Sequence, residues 1–259
     1  IMSTVQAPEL LGVFKTKKNL TVYSGSTNCE VTLGMNNARA PFNNKLVRQA
    51  VRQAINKKNL IKTAWSGYGL EIGSFVPPTD PWYEDLSTLY PYDVNKSKKL
   101  LKSAGYANGL TINLDLPPIA YATNSGEFIA ASLAKVGIKV NLKPIAWGEW
   151  IDRVFTKKDY DMTIVCHIES NDMAIYANPA YYFGYNSTTY QGLIKKAASA
   201  KTQAARVENL KKAARVLAND SVSDWLWLIP NLQVAKKQIS GIPLNTVGDA
   251  YTVDRITVG

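Results

Sequence analysis

Hydrophobic positions along the chain fall into short blocks whose period switches between helical and extended. Leu46, Val47, Ala50, Val51, Ala54 and Ile55 recur on one helix face, which predicts a helix over 44–62 with Asn43 or Asn44 as its amino-terminal cap. Asp93 stands where a cap would begin a short basic helix that runs through Ala104 and stops at Gly105. Leu110, Ile112, Leu114 and Leu116 then alternate as a strand that ends at Pro117-Pro118, and Phe128, Ile129, Leu133 and Val136 mark a helix closed by Gly137. Ile138, Val140 and Leu142 read as a second strand, Trp147 to Phe155 as a second helix, and Met162, Ile164 and Cys166 as a third strand. This β-α-β-α-β run predicts parallel strands joined by right-handed crossovers. Two further helices, near 189–200 and 203–219, precede late strands at Trp225–Ile229 and Leu232–Val234, and 239–259 reads as strand and turn.

Between the first two helices, Trp65 to Pro91 has no periodic pattern and is punctuated by Gly67, Gly69, Gly73, Pro77, Pro78 and Pro81. An irregular segment of that length is usually functional or packed as a large surface loop. Its Trp65, Tyr68, Trp82 and Tyr83 fit either a ligand groove or a private mini-core.

Composition narrows the class. The 259 residues are 46% hydrophobic and 19% charged, which excludes a disordered or fibrous chain. The apolar runs, such as Trp225 to Pro230, fall far short of the roughly 20 residues a membrane span needs. Lys and Arg exceed Asp and Glu by 30 to 20, giving a net charge of +10, but the lysines are dispersed in small groups such as Lys15, Lys17 and Lys18 or Lys236 and Lys237. Dispersed pairs on helix faces read as solvated surface, so no nucleic-acid partner is expected. Cys29 and Cys166 are compatible with one disulfide, although nothing in the sequence argues for it.

Several chemistries lack their residues. One histidine, His167, and two distant cysteines cannot build a structural zinc site, and no phosphate-binding glycine loop or G-x-S-x-G nucleophile turn occurs. No cofactor is expected. Glu149 with Asp152, or Glu169 with Asp172, leaves a carboxylate-dependent hydrolase as the enzymatic alternative. In open α/β sheets, ligands bind beyond the carboxyl ends of the strands. That rule selects the loop after 110–116, which carries Tyr121, and the loop after 161–166, which carries His167, Glu169, Asn171, Asp172 and Tyr176. A carboxylate there suits a ligand ammonium. Alternatively, Asp172 caps the next turn and His167 only packs at the strand end.

An ordered series of motifs carries a resemblance. Asn36-Asn37-Ala38-Arg39-Ala40-Pro41-Phe42-Asn43-Asn44 leads into Val47-Arg48-Gln49-Ala50, then Ala54-Ile55-Asn56-Lys57, Gly67-Tyr68-Gly69, Phe75-Val76-Pro77-Pro78, Tyr92-Asp93, Ala104-Gly105-Tyr106, Leu133 to Val140 and Tyr160-Asp161-Met162. From about residue 5 onward the chain resembles the carboxy-terminal half of the bacterial extracellular solute-binding proteins of family 5, the dipeptide- and oligopeptide-binding components of ABC importers.

The resemblance implies an α/β, periplasmic-binding-protein-like lobe of type II, with extra helices and late strands around its β-α-β-α-β core. Residues 1–34 would be a hinge-side segment, 35–230 the ligand-binding lobe and 231–259 strands returning toward the hinge, with the amino-terminal lobe absent. It implies a monomer without catalytic activity, in the periplasm or at the cell surface after export. Such a protein captures a peptide or small solute and delivers it to a membrane permease. Family peptide binders hold the ligand α-ammonium with an Asp after the "Y-D" strand, a role that Glu169 or Asp172 would fill here, Glu169 being favoured. The segment Cys166-His167-Ile168-Glu169-Ser170-Asn171-Asp172 departs from the family's G-W and D-P pattern. Nickel chelates, haem, glutathione and sugars, which other members take, therefore stay open as ligands.

Overall fold

The computed structural model describes residues 1–168, 172–247 and 252–259. A 3-10 turn at Pro8–Leu10 leads into α1 (Leu11–Lys15), β1 (Leu20–Gly25) and β2 (Glu30–Met35). The helices α2 (Lys45–Ala54), α3 (Lys57–Ala64) and α4 (Val94–Ser103) follow. Next come β3 (Leu110–Leu116), α5 (Ala120–Ala134), β4 (Ile138–Pro144) and α6 (Trp147–Glu149), which widens into a π-helical stretch at Trp150–Thr156. The chain continues through β5 (Met162–His167), α7 (Asp172–Ile175), α8 (Thr188–Ala198), α9 (Gln203–Asp220), β6 (Ser223–Leu228), β7 (Asn231–Lys236), β8 (Ile239–Ser240) and β9 (Thr257–Val258).

The central sheet has five strands in the order β4-β3-β5-β2-β6. As the sequence pattern predicts, β3 runs parallel to both β4 and β5. The parallel unit is completed by antiparallel strands, because β2 pairs antiparallel with β5 on one side and β6 on the other. Every residue of β2 is buried, so the expected boundary at 34/35 falls inside a central strand of the lobe. β1 and β7 form a separate antiparallel ribbon over a small core of Val5, Leu11, Leu232 and Val234.

Local chemistry explains most boundaries. Asn44 accepts a hydrogen bond from Leu46 N–H and caps α2, and Asp93 accepts from Lys96 N–H and caps α4. The single helix expected over 44–62 is instead two. Ile55 and Asn56 adopt extended backbone, and the Asn56 side chain accepts from Asn59 N–H to start α3 afresh. Gly109 and Gly137 turn the chain into β3 and β4 with φ of +86° and +88°, and a Cβ on Gly109 would lie 2.5 Å from the Gly137 carbonyl oxygen.

Alternate side chains of the strands divide the interior between two cores. Leu33, Met35, Leu114, Met162, Ile164 and Leu226 face α2, α3 and α5. Val165 and Trp225 face the other way, into a core with Tyr160, Tyr176, Tyr182, Phe183, Tyr190 and Leu217. The α2–α3 corner is fixed to β6 by a buried charge cluster. Asp224, with no exposed surface, lies 2.9 Å from Lys57 Nζ and 3.4 Å from Arg52 Nε. Lys57 also donates to the carbonyls of Ile72 (3.0 Å) and Trp225 (2.6 Å), and Arg52 to Ala218 O at 2.8 Å. The Arg52 guanidinium stands 5.4 Å from the Trp225 ring. Burial lowers the pKa of both cations, and the charge of Asp224 opposes that shift.

Buried and exposed charges differ in what their loss costs. Asp224→Asn leaves two buried cations short of their counter-charge and costs about 3–5 kcal/mol. Lys157→Ala, which breaks an ion pair whose partners are 64% and 59% exposed, costs less than about 1 kcal/mol. Urea denaturation midpoints of the two variants check both values. Burial also raises the pKa of Tyr160 and Tyr190 well above the ordinary phenol value. Their unfolded forms lose the proton first, so the unfolded state binds fewer protons at high pH. The stability these phenols contribute is intact below about pH 10 and is lost as pH rises past it. A spectrophotometric tyrosine titration run beside circular dichroism should show an early, reversible phase for exposed phenols and a late phase that coincides with unfolding.

Candidate functional site

The carboxyl ends of β3 and β5 lie side by side because the two strands are parallel neighbours. β3 stops at Pro117-Pro118, and α5 begins at Ala120, which places Tyr121 in the first helical turn. Tyr121 is buried, and its hydroxyl oxygen accepts a hydrogen bond from the Cys166 N–H at 3.0 Å. Burial raises the pKa of this phenol, the bond from Cys166 opposes the rise, and the group stays neutral at physiological pH.

A disulfide joins Cys166 to Cys29, whose Cα atoms are 5.4 Å apart, just ahead of β2. The neighbouring residues tighten the same corner. Asn28 donates through Nδ2 to the Ile168 carbonyl, Thr27 through its hydroxyl to Ile229 O, and Ile229 N–H to Cys29 O at 3.0 Å. The ends of β3, β5 and β6 are thereby tied to the segment that leads from the ribbon into the sheet.

A crevice of about 610 Å3 opens at this corner. Trp65, Ile119, Tyr121, Trp147, Ile168 and Ile229 supply its apolar wall, and Ser3, Thr4, Gln6, Thr27, Asn28 and Thr246 its polar rim. Among the described residues that line it, none is charged. The disulfide forms part of the wall, since both cysteines border the space. The arrangement suits a ligand with an apolar body and hydrogen-bonding edges. Among the described residues, no group of three or more metal-ligating side chains occurs.

The structure separates the residues that the sequence groups together. Tyr121 lines the crevice. His167 points the opposite way, as strand alternation after Cys166 requires, and is buried with Nε2 2.9 Å from the Tyr182 hydroxyl. Its ring packs edge-on against Phe75 at 5.5 Å. Tyr176 belongs to the same core, stacked 4.8 Å from Phe183, and its hydroxyl oxygen accepts from Trp225 Nε1. Glu169 and Asn171, with the side chain of Asp172, lie outside the described residues; they follow Ile168, which borders the crevice.

The loop aromatics divide in the same manner. Trp65 borders the crevice, Trp82 and Tyr83 pack against the second core, and Tyr68 packs under Lys15. Trp147, exposed at the start of α6, had only its place in a helical pattern, and Asn28 carried no sequence signal. Both reach the crevice through strand pairings that lie far away in sequence. Glu149 and Asp152 are paired at the surface: Glu149 lies 3.3 Å from Arg153, and Asp152 lies 2.6 Å from Lys157.

Residues 1–192 match the family described as bacterial extracellular solute-binding proteins, family 5 Middle. A heme-binding protein A of Haemophilus influenzae is 37% identical over 136 residues, which cover 51% of this chain and 24% of that protein. A dipeptide-binding protein of Escherichia coli is 36% identical over 126 residues, covering 47% of this chain and 24% of that protein. In fold, a periplasmic binding protein from Helicobacter pylori, solved with the peptide STSA, superposes over the whole chain. Its TM-score is 0.88 at 24% identity, and the match spans 52% of that protein. The matched stretches thus span about a quarter of those two curated relatives, and the whole chain spans about half of the solved structure.

Removing the disulfide tests the corner that these elements share. The Cys29→Ser/Cys166→Ser variant should lose about 2–4 kcal/mol of stability, because the bond closes a long loop of sequence separation 137. Urea denaturation with and without reductant checks this: reductant should weaken the parent protein and leave the variant unchanged.

Proposed function

The chain belongs to the bacterial extracellular solute-binding proteins of family 5, and from that membership we propose that it forms the carboxy-terminal lobe of an ABC importer's substrate-binding component. In this reading it captures a peptide or related small solute and delivers it to a membrane permease. The observation that carries the reading is the aromatic and amide-lined crevice of about 610 Å3 at the strand ends. A short peptide presents carbonyl and amide edges to such a rim and apolar side chains to Trp65 and Trp147. Its α-ammonium would be met by Glu169, or by Asp172, on the segment that follows Ile168. Asn171 would offer a further polar contact. Tyr121 orients the strand end beneath them through Cys166, while His167 and Tyr176 brace the wall from behind.

An amino-terminal lobe of the same polypeptide would supply the opposite wall, with the β1–β7 ribbon on the hinge side and closure of the two lobes on ligand. The protein would act as a monomer without catalysis, in the periplasm or at the cell surface. The Cys29–Cys166 disulfide supports an oxidising compartment. No helix among the described residues is long and apolar enough to cross a membrane.

A thermal-shift series on the full-length protein from its source tests the reading, using a di- to pentapeptide mixture, haemin and glutathione. Peptides should raise the melting temperature, corresponding to about 2.7 kcal/mol of stabilisation at roughly 100-fold over Kd. Glu169→Gln should weaken peptide binding by about 1.5–3 kcal/mol through loss of a charged hydrogen bond. The 259-residue chain alone should respond little, because in this reading the amino-terminal lobe supplies the opposite wall. Stabilisation by haemin or glutathione alone, or by no solute, would overturn the peptide assignment.

A further inference from the structure

The small core under the ribbon dictates which side of α1 faces outward. Leu11 is fully buried and Phe14 packs beside it, which leaves Leu10 and Val13 48% and 56% exposed. Directly after α1, the chain carries Lys15, Lys17 and Lys18 and turns into β1, with the Leu20 N–H donating to Lys17 O at 3.1 Å. The register of the ribbon then brings in a distant segment. Leu20 pairs with Lys236, and the Lys237 N–H donates to Asn19 O at 3.0 Å. The register therefore brings two lysine-bearing segments far apart in sequence to one end of the ribbon, and the first of them directly follows α1 with its exposed Leu10 and Val13.

Acidic residues are sparse along both segments. The sequence has no Asp or Glu between Glu9 and Glu30, nor between Asp224 and Asp249. Lys15 is held by the Tyr68 hydroxyl at 2.8 Å, its ammonium 5.2 Å above the ring centroid. Among the described residues, Lys17, Lys18, Lys236 and Lys237 are exposed and make no ion pair. Exposed lysines combined with a few exposed aliphatic side chains are the chemistry of attachment to an anionic lipid surface: ammonium groups meet headgroup phosphates, and the apolar residues enter the interfacial layer. A polyanion without an acyl layer would use the lysines but leave Leu10 and Val13 in water.

We infer that this end of the β1–β7 ribbon is a docking surface for an anionic lipid membrane. The inference stands apart from the ligand reading, because none of these lysines borders the crevice.

The test is sedimentation of the full-length protein with phosphatidylcholine vesicles and with vesicles containing about 30% phosphatidylglycerol. The protein should pellet with the anionic vesicles only, and less so as salt rises. Reversal of Lys17, Lys18, Lys236 and Lys237 to Glu should lower the partition coefficient roughly hundredfold or more. Val13→Ser alone should lower it severalfold. Reversal of four lysines elsewhere, Lys96, Lys98, Lys99 and Lys102 on α4, should change it far less. Gln at the same four ribbon positions provides a gentler variant, and an unchanged melting temperature with intact ligand-induced shifts shows that fold and crevice survive. Equal pelleting with neutral vesicles, equal loss from the two sets of reversals, or lysine-dependent retention on DNA without vesicle binding would each overturn the inference.

Discussion

A carboxylate with no exposed surface must have its charge met within the protein, and Asp224 makes that demand at the centre of this lobe. Lys57 and Arg52 meet it from two different helices. Because both cations also donate to carbonyls of the 72–73 turn, of β6 and of the end of α9, five parts of the chain are committed at once. The break between α2 and α3 acquires its purpose here. In one continuous helix, residues 52 and 57 would point about 140° apart, whereas the fresh start at Asn56 lets Arg52 and Lys57 converge on one carboxylate.

The corner so fixed carries the mixed sheet, whose two pairing modes have different tasks. The parallel unit β4-β3-β5 places strand ends and helix starts together, the usual position for a ligand in an α/β sheet. The antiparallel β2 and β6 bring the ribbon-side segments to those same ends, and the Cys29–Cys166 bond locks the junction. The crevice is therefore bordered by residues from both ends of the chain, Ser3 and Thr246 among them. Its wall is rigid through backbone pairing and one covalent bond, with the aromatic second core packed behind it.

Much of this was written in local patterns. The strands at Leu110–Leu116, Ile138–Pro144 and Met162–His167, the helix between each pair and their parallel sense follow from alternation, helical spacing and the stops at Pro117 and Gly137. The ordered motifs from Asn36 to Asp161 marked the family, and the strand-end rule selected the loop that contains Tyr121. These features depend on neighbours within a turn or two along the chain, so period and capping chemistry suffice to reveal them.

The remainder depends on contacts that no local pattern encodes. β2 shows no sign in its own residues that it will lie between β5 and β6, because antiparallel insertion is decided by what the rest of the sheet leaves unpaired. The pairing of Cys29 with Cys166 follows from that placement. Strand alternation and the second core turned His167 and Tyr176 inward to an aromatic cluster, although their sequence positions beside a strand end suited a ligand. The pairing of Leu20 with Lys236, and of Arg52 with Asp224, likewise required the ribbon register and the helix packing. Periodicity specifies which face of an element is apolar; which distant face it meets is settled only when the buried charges and hydrogen bonds of the whole lobe are satisfied together.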